Sequence, residues 1–571
     1  MAAILAATVL LELYFYVGVV RQYGEEDIFV SLALPPKQNG ETYWDSIAHF
    51  RSVSDWSKWT GDPVDMYPFR IAALYPNQIF VKLFGESEKA VTLWSAITGI
   101  AAVLLVGLIG RSLAGNAAGL FSAAVLALIP GHIIYSARLD TDMPQLFFLA
   151  LATFVMVLAL KTPSNWKQVV LAGACGLSLG FLYLSKLLPA FLALPWALLV
   201  PLLLAGLRDD STLCARGGKW RQALAVSGVT LAGFMLVFAI ENWAYYLLSG
   251  TWLLHWRVMK CNAVNLESWR CGKFVVFGFV KLWLPIDGWR DLLGHTIMFR
   301  DSLFPAGHIG SVYGLPVHGW SGAAFLPALL VLPFLRAGRR RLTLLVIGGF
   351  LLYYLYQEFF WLYPTIEGGR LNLTFVHKVH RFIFPVYLGI SLCIGIALGS
   401  LADFGRQCPR RWPGRLLRAA PICLTAAFAV SSFPSATFFQ AMLRRSMADI
   451  RQACAVVGAV APDGASVFVP AGAEPFFRLY QYPHHYGWKY FSDEQQASDC
   501  AGWGVVGTSL GIGLSPECFF ESYPEWLRPY YYEKAAPPSG WRLLRTWESV
   551  QDQVAPSVRI LKLTGPGRKP N

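Results

Sequence analysis

Tyr135-Ser136-Ala137-Arg138-Leu139-Asp140-Thr141-Asp142-Met143-Pro144-Gln145 runs without a break into Leu146-Phe-Phe-Leu-Ala-Leu-Ala-Thr-Phe-Val-Met-Val-Leu-Ala-Leu160, and another apolar run, 116 to 136, ends just before it. Both runs have the length needed to cross roughly 30 Å of hydrocarbon. Two acids and an arginine in so short a connection look like a site rather than a random turn, because charge beside a bilayer core is costly. The plainer reading is that Asp142 caps the helix that follows, with Pro144 in its first turn. One acid is therefore expected to cap and the other to be left for function.

Further apolar runs occur at 2 to 20, 89 to 110, 143 to 160, 168 to 184, 187 to 206, 224 to 248, 320 to 335, 342 to 358, 382 to 402 and 419 to 437, giving about eleven spans in all. The chain is 55% hydrophobic and only 15% charged over 571 residues, as a polytopic membrane protein should be. Its formal net charge of +13 does not indicate nucleic acid, since the basic residues fall in short clusters between apolar runs. With a cytoplasmic amino terminus, the loops holding Arg111, Lys161, Lys167, Arg208 to Arg221, Arg336 to Arg341 and Arg406 to Arg418 all fall on the inner side. The outer side then receives loops 21–88 and 249–319, the short loops 137–142 and 359–381, and the tail from 438. Met1 to Val20 lacks the basic start and small-residue cleavage site of a signal peptide and is read as the first span. The segment 274 to 285 is too short to span and is expected in the interface.

After 438 the apolar runs shorten. Strand-like stretches, Ser466–Pro470, Trp503–Gly507 and Ser557–Leu563, alternate with polar turns, so 438–571 reads as a small α/β domain outside the membrane. Its aromatics, including Phe476, Phe477, Tyr480 and Tyr486, either pack a core or stack on sugar rings, and core packing is the commoner fate. Cys261 with Cys271 and Cys500 with Cys518 lie on the outer side, where pairing is plausible. The chain contains no Walker loop, which argues against an ATP-driven pump.

Most candidate chemistry falls on the outer side. In Gly40-Glu41-Thr42-Tyr43-Trp44-Asp45-Ser46-Ile47-Ala48-His49, helical spacing puts Glu41 and Asp45 on one face, suited either to a general base or metal site or to a solvated amphipathic surface. Arg70 follows Tyr67-Pro68-Phe69 and either binds an anion or closes the loop. Lys186 ends the fifth span, where a snorkelling lysine is the commoner explanation and a phosphate contact the rarer one. Glu241 lies inside the seventh span and must have a partner there. Finally, Asn372-Leu-Thr-Phe-Val-His377-Lys378-Val-His380-Arg381-Phe-Ile-Phe-Pro385-Val-Tyr387 sets two histidines, a lysine and an arginine against an apolar run, and snorkelling accounts poorly for all four together.

An acidic first outer loop, a short acidic second one and a basic motif before a late span resemble the GT-C membrane glycosyltransferases, which use polyprenyl-phosphate sugars. The stretch 377–386 is similar to the His-Lys-x-x-Arg-Phe-x-x-Pro signature of the GPI/Alg mannosyltransferases, although Glu41-Thr-Tyr stands where that family has His-Pro-Asp-Glu. The segment from Arg70 to about Leu202 looks more like the bacterial protein-mannosyltransferase-like and aminoarabinose-transferase-like enzymes. The resemblance implies a catalytic membrane domain, 1–437, that moves a mannose or another hexose or pentose from a polyprenyl-phosphate carrier to a glycan, lipid or protein acceptor. It implies Glu41 as the base with Asp45 as its rival, and Asp140 or Asp142 positioning the acceptor or a metal. His377, Lys378, His380 and Arg381 would receive the phosphate, with Arg70 and Lys186 in support. A divalent cation, Mg or Mn, is compatible with this chemistry but not required by it; Glu41 and Asp142 are its candidate ligands. The expected setting is a bacterial plasma membrane with the carboxy-terminal domain outside, or an endoplasmic reticulum membrane in a eukaryote. A transporter or flippase for a lipid-linked or anionic solute is the rival reading, and would carry an inverted repeat, which the sequence does not show.

Overall fold

The computed structural model describes residues 1–20, 25–34, 43–53, 63–206, 219–265, 274–277, 280–283, 321–332, 335, 337–359, 362–367, 370–375, 384–408, 411–445, 447–469, 474–481, 484–490, 502–506, 541–548 and 556–563. In chain order the helices are α1 (Ala2–Tyr14), α2 (Glu25–Ala33), α3 (Asp45–Ala48), α4 (Ile71–Phe84), α5 (Glu88–Ala114), α6 (Asn116–Leu128), α7 (Pro130–Ser136), α8 (Asp142–Lys161) and α9 (Asn165–Ser185). They continue with α10 (Leu187–Gly206), α11 (Lys219–Ser249), α12 (Leu254–Asn265), α13 (Ser321–Val331), α14 (Ala337–Phe359), α15 (Phe384–Gln407), α16 (Arg411–Arg445), α17 (Ala448–Val460) and α18 (Glu474–Tyr480).

Among the described residues, seven helices are long and apolar enough to cross a membrane, or eight if α6 and α7 count as one span. Of the expected spans, about eleven in all, those at 2 to 20 and 320 to 335 are helices too short to cross alone, α1 and α13, and α14 is not among the seven. The expected span 116 to 136 is broken by a 68° bend between α6 and α7. The cause is local: Pro130 opens α7 and forces Ile129 into an extended conformation at φ −67°, ψ 121°. A second break separates α9 from α10 at Lys186, whose backbone is fully extended.

The chain divides into two compact units. The larger comprises Met1–Tyr16, Thr42–Tyr75 and Trp94–Phe439, and holds most of the long helices. Its tightest pairings are α15 on α6 and α11 on α9. Both depend on small residues, as expected where lipid offers no hydrophobic drive for association. A Cβ on Gly395 would overlap the backbone of Ser122, and one on Gly176 would overlap the Thr230 carbonyl.

The same unit carries a four-stranded sheet in the order β1-β2-β4-β3, built from β1 (Phe274–Phe277), β2 (Val280–Trp283), β3 (Leu362–Glu367) and β4 (Arg370–Phe375). The segment expected to lie in the interface is thus a hairpin. Its second strand runs parallel to β4, from Val280 opposite Leu371 to Trp283 opposite Thr374. Strands from loops 249–319 and 359–381 are therefore paired with each other.

The smaller unit comprises Val17–Glu41, Pro76–Leu93 and Gln440–Asn571. Its five-stranded sheet has the order β6-β5-β7-β9-β8, from β5 (Ser466–Val469), β6 (Gly487–Tyr490), β7 (Gly502–Val506), β8 (Trp541–Glu548) and β9 (Pro556–Leu563). The three stretches singled out as strand-like are β5, β7 and β9. Glu88 gathers a network here: it accepts the Val19 amide at 2.8 Å, the Arg451 guanidinium at 2.7 Å and the Tyr480 hydroxyl at 2.7 Å. Burial, reinforced by the Glu88 charge, pushes the Tyr480 phenol well above its usual range, so it stays protonated and donates. Arg478, 2% exposed, forks onto Glu86 at 2.5 and 3.1 Å. Phe476 and Phe477 are fully buried, so these aromatics pack a core.

Gly395→Ala is expected to lower stability by about 1–3 kcal/mol, because the helix backbones must separate to admit the methyl. A fall in the melting temperature of the purified protein checks this, with Gly228→Ala, whose Cβ meets nothing within 4 Å, as the neutral control.

Candidate functional site

The bend between α6 and α7 delivers a wholly buried loop to the head of α8: Arg138 is 0%, Asp140 2% and Asp142 0% exposed. A guanidinium cannot be buried without compensation. Arg138 meets the need by placing Nε and an Nη on one oxygen of Asp140, at 3.1 and 2.5 Å, with its carbon 3.9 Å from the Tyr135 ring centroid. The other Asp140 oxygen accepts the backbone amide of Asp142 at 2.8 Å, and the Asp140 amide donates to Ser95.

The division of labour between the two acids follows. Asp140 braces Arg138 and accepts the amide of Asp142, the first residue of α8. Asp142 instead accepts the Lys186 ammonium at 2.7 Å. This corrects the snorkelling account of Lys186: the residue is 9% exposed, and the extended break between α9 and α10 turns it inward onto Asp142. Arg70 adds a third cation. It donates to the Thr141 hydroxyl at 3.0 Å and lies, partly buried, 4.5 Å from the Tyr67 ring.

The described part of the first outer loop packs beside Arg70. Tyr43, two residues after Glu41, is 2% exposed and donates to the Pro68 carbonyl at 2.6 Å. Burial raises its phenol well above the usual range against a smaller opposing pull from Arg70, so it serves as a donor. In α3, Tyr43, Ile47 and Phe50 turn inward while Asp45 and His49 share the exposed face. That is the amphipathic arrangement the spacing implies.

Glu41, His377, Lys378, His380 and Arg381 lie outside the described residues, as do the side chains of Cys261, Cys271, Cys500 and Cys518. The flanks of the basic motif are described. Strand β4 ends at Phe375, and Phe384, three residues after Arg381, packs its ring 4.3 Å from Tyr135 at the base of the acidic loop. Among the described residues no group of three or more His, Cys, Asp or Glu side chains could hold a metal ion.

Two features escaped the sequence. Arg138 was visible in the loop but not as the brace of Asp140, and its spacing of two residues was the available signal. Glu241 finds its partner in His255, Nδ1 to Oε1 at 2.9 Å, and nothing in the spacing of α11 and α12 announces that their hairpin brings these together.

The fold is similar to that of ArnT from Cupriavidus metallidurans. A family profile described as dolichyl-phosphate-mannose-protein mannosyltransferase matches residues 71–226, the stretch that supplies Arg138, Asp140, Asp142 and Lys186. ArnT from Cupriavidus metallidurans in the apo state is similar over 99% of both chains, at 13% identity and a TM-score of 0.52. The same protein bound to undecaprenyl phosphate is similar over 99% of both chains, at 12% identity and a TM-score of 0.53. The search of curated proteins found no match.

Lys186→Met and Asp142→Asn are each expected to destabilise the protein by about 3–5 kcal/mol, since each removes a buried charge's nearest counter-ion, and the double variant should recover most of that loss. Thermal unfolding of all three in detergent decides it; additive losses would show that the pair is not coupled.

Proposed function

We propose that the protein is an integral-membrane glycosyltransferase that moves a sugar from a polyprenyl-phosphate carrier to a glycan, lipid or protein acceptor at the extracytoplasmic face. The observation that carries this is the ion-paired loop at the head of α8: Lys186 on Asp142, beside Arg70 on Thr141, in a chain with the ArnT fold. A transporter gains no comparable support.

In this reading the catalytic domain is 1–437 and 438–571 is an extracytoplasmic α/β domain. Transfer needs a base at the acceptor hydroxyl, stabilisation of oxocarbenium-like charge, and cations for the departing phosphate. Glu41 is the base, with Asp45 the alternative. Asp142, rather than the structural Asp140, faces the reacting groups, with its charge set by Lys186. Arg70 and Lys186 join His377, Lys378, His380 and Arg381 in receiving phosphate, where arginine's fork gives paired charged hydrogen bonds. A divalent ion, Mg or Mn, would draw on Glu41 and Asp142; dialysis against EDTA and re-addition of either ion tests for it. The donor sugar is mannose or another hexose or pentose, and the membrane is a bacterial plasma membrane, or the endoplasmic reticulum in a eukaryote.

The test is incubation of purified protein with radiolabelled undecaprenyl- and dolichyl-phosphate sugars. Wild type is expected to transfer label, Glu41→Gln to lose 10²- to 10⁴-fold or so as general-base catalysis disappears, and Arg381→Ala to lose carrier affinity. Full activity in both variants would sink the assignment of the residues, and solute counterflow without transfer would favour a transporter.

A further inference from the structure

Glu241 and His255 take no part in the chemistry above, yet their burial is as costly as that of the acidic loop. They are 4% and 5% exposed, on α11 and on the first turn of α12. The hairpin that joins these helices is built to bring them together. Gly250 at φ +71° and Leu253 at φ +53° reverse the chain, and Leu253 is the one non-glycine at positive φ among the described residues. Strain of that kind persists where the surroundings fix it. Two residues later His255 places Nδ1 2.9 Å from Glu241, and the phenols of Tyr183 and Tyr245 face the same carboxylate.

The other side of the imidazole reaches the site. Its ring stacks on Phe69 at 4.8 Å between centroids and 11° between planes, while Tyr245 meets Phe69 edge-on at 5.2 Å and Phe50 lies 5.6 Å away. Phe69 is fully buried, and each of its chain neighbours holds part of the site. The Pro68 carbonyl accepts the Tyr43 hydroxyl, and Arg70 reaches Thr141 in the loop of Asp140 and Asp142.

We infer that Glu241 and His255 form a positioning pair: the carboxylate fixes the imidazole, the imidazole fixes Phe69, and Phe69 sets Arg70 for the carrier phosphate and Tyr43 for the first outer loop. The inference rests on the proposed function, and it adds to that function two residues about a helix turn or more behind the ions. A hydrogen bond suits the task because its direction is fixed, whereas an apolar contact lets the ring turn.

Binding of undecaprenyl phosphate to the full-length protein in detergent tests the inference. Glu241→Gln and Arg70→Ala are each expected to weaken binding at least fivefold, and the double variant no further than the weaker-binding single, because both act through the same guanidinium. To guard against misfolding, Glu241→Gln/His255→Phe keeps an aromatic ring on Phe69 and leaves no buried charge; it should unfold like wild type and still bind weakly. Wild-type binding by that variant, multiplicative losses in the double variant, or weakening by Glu241→Gln but not by Arg70→Ala would each overturn the inference. Absence of binding by wild type would instead remove the proposed function, and this inference with it.

Discussion

Ions inside an apolar shell must be matched, and the larger unit is arranged around that requirement. Arg138 is completely buried, so its charge must be met by protein groups. Asp140 therefore has to sit two residues away, its second oxygen has to take the Asp142 amide, and α8 has to begin there. Once that is fixed, Asp142 enters the first turn of α8, and the break at Lys186 brings an ammonium to it. Each of these placements would be unfavourable alone. Together they form a rigid charged loop at the end of helices whose other contacts are indifferent to charge.

The backbone features that position this loop are equally local in origin. Pro130 bends the chain so that Tyr135 faces Arg138 and Phe384, and the extended Lys186 separates α9 from α10. Small residues at Gly395 and Gly176 bring helices close enough for these side chains to meet. Packing in this protein thus serves the placement of a few polar groups, and the apolar surface outside is left to lipid.

The reading of the sequence succeeded where the signal was itself local. Apolar runs gave the long helices, including the separation of α9 from α10, and alternation in the tail gave β5, β7 and β9. The acidic loop showed itself because charge between two spans is conspicuous, but the acid that accepts the first amide of α8 is Asp140, where Asp142 was the expected cap. The basic motif and the first-loop acids resembled a family of membrane glycosyltransferases, and the fold is similar to that of ArnT. The failures are non-local. Lys186 was read by its position at a helix end, but its environment is set by Asp142, 44 residues earlier. Glu241 lacked a partner for the same reason, and the hairpin of β1 and β2 was missed because its pairing strand comes from another loop. Helix count suffered from a different cause, since short or bent helices such as α1 and the α6–α7 pair do not meet a length criterion.

The parallel pairing of β2 with β4 has a consequence for how the protein is made. Val280 and Leu371 are roughly ninety residues apart, with α13 and α14 between them. A ribosome releases β1 and β2 long before β4, and an isolated two-stranded hairpin is marginal in water. The sheet therefore closes only after α13, α14 and β3 have been made. β1 and β2 must thus wait for roughly ninety residues of synthesis before they gain the neighbour that completes the sheet.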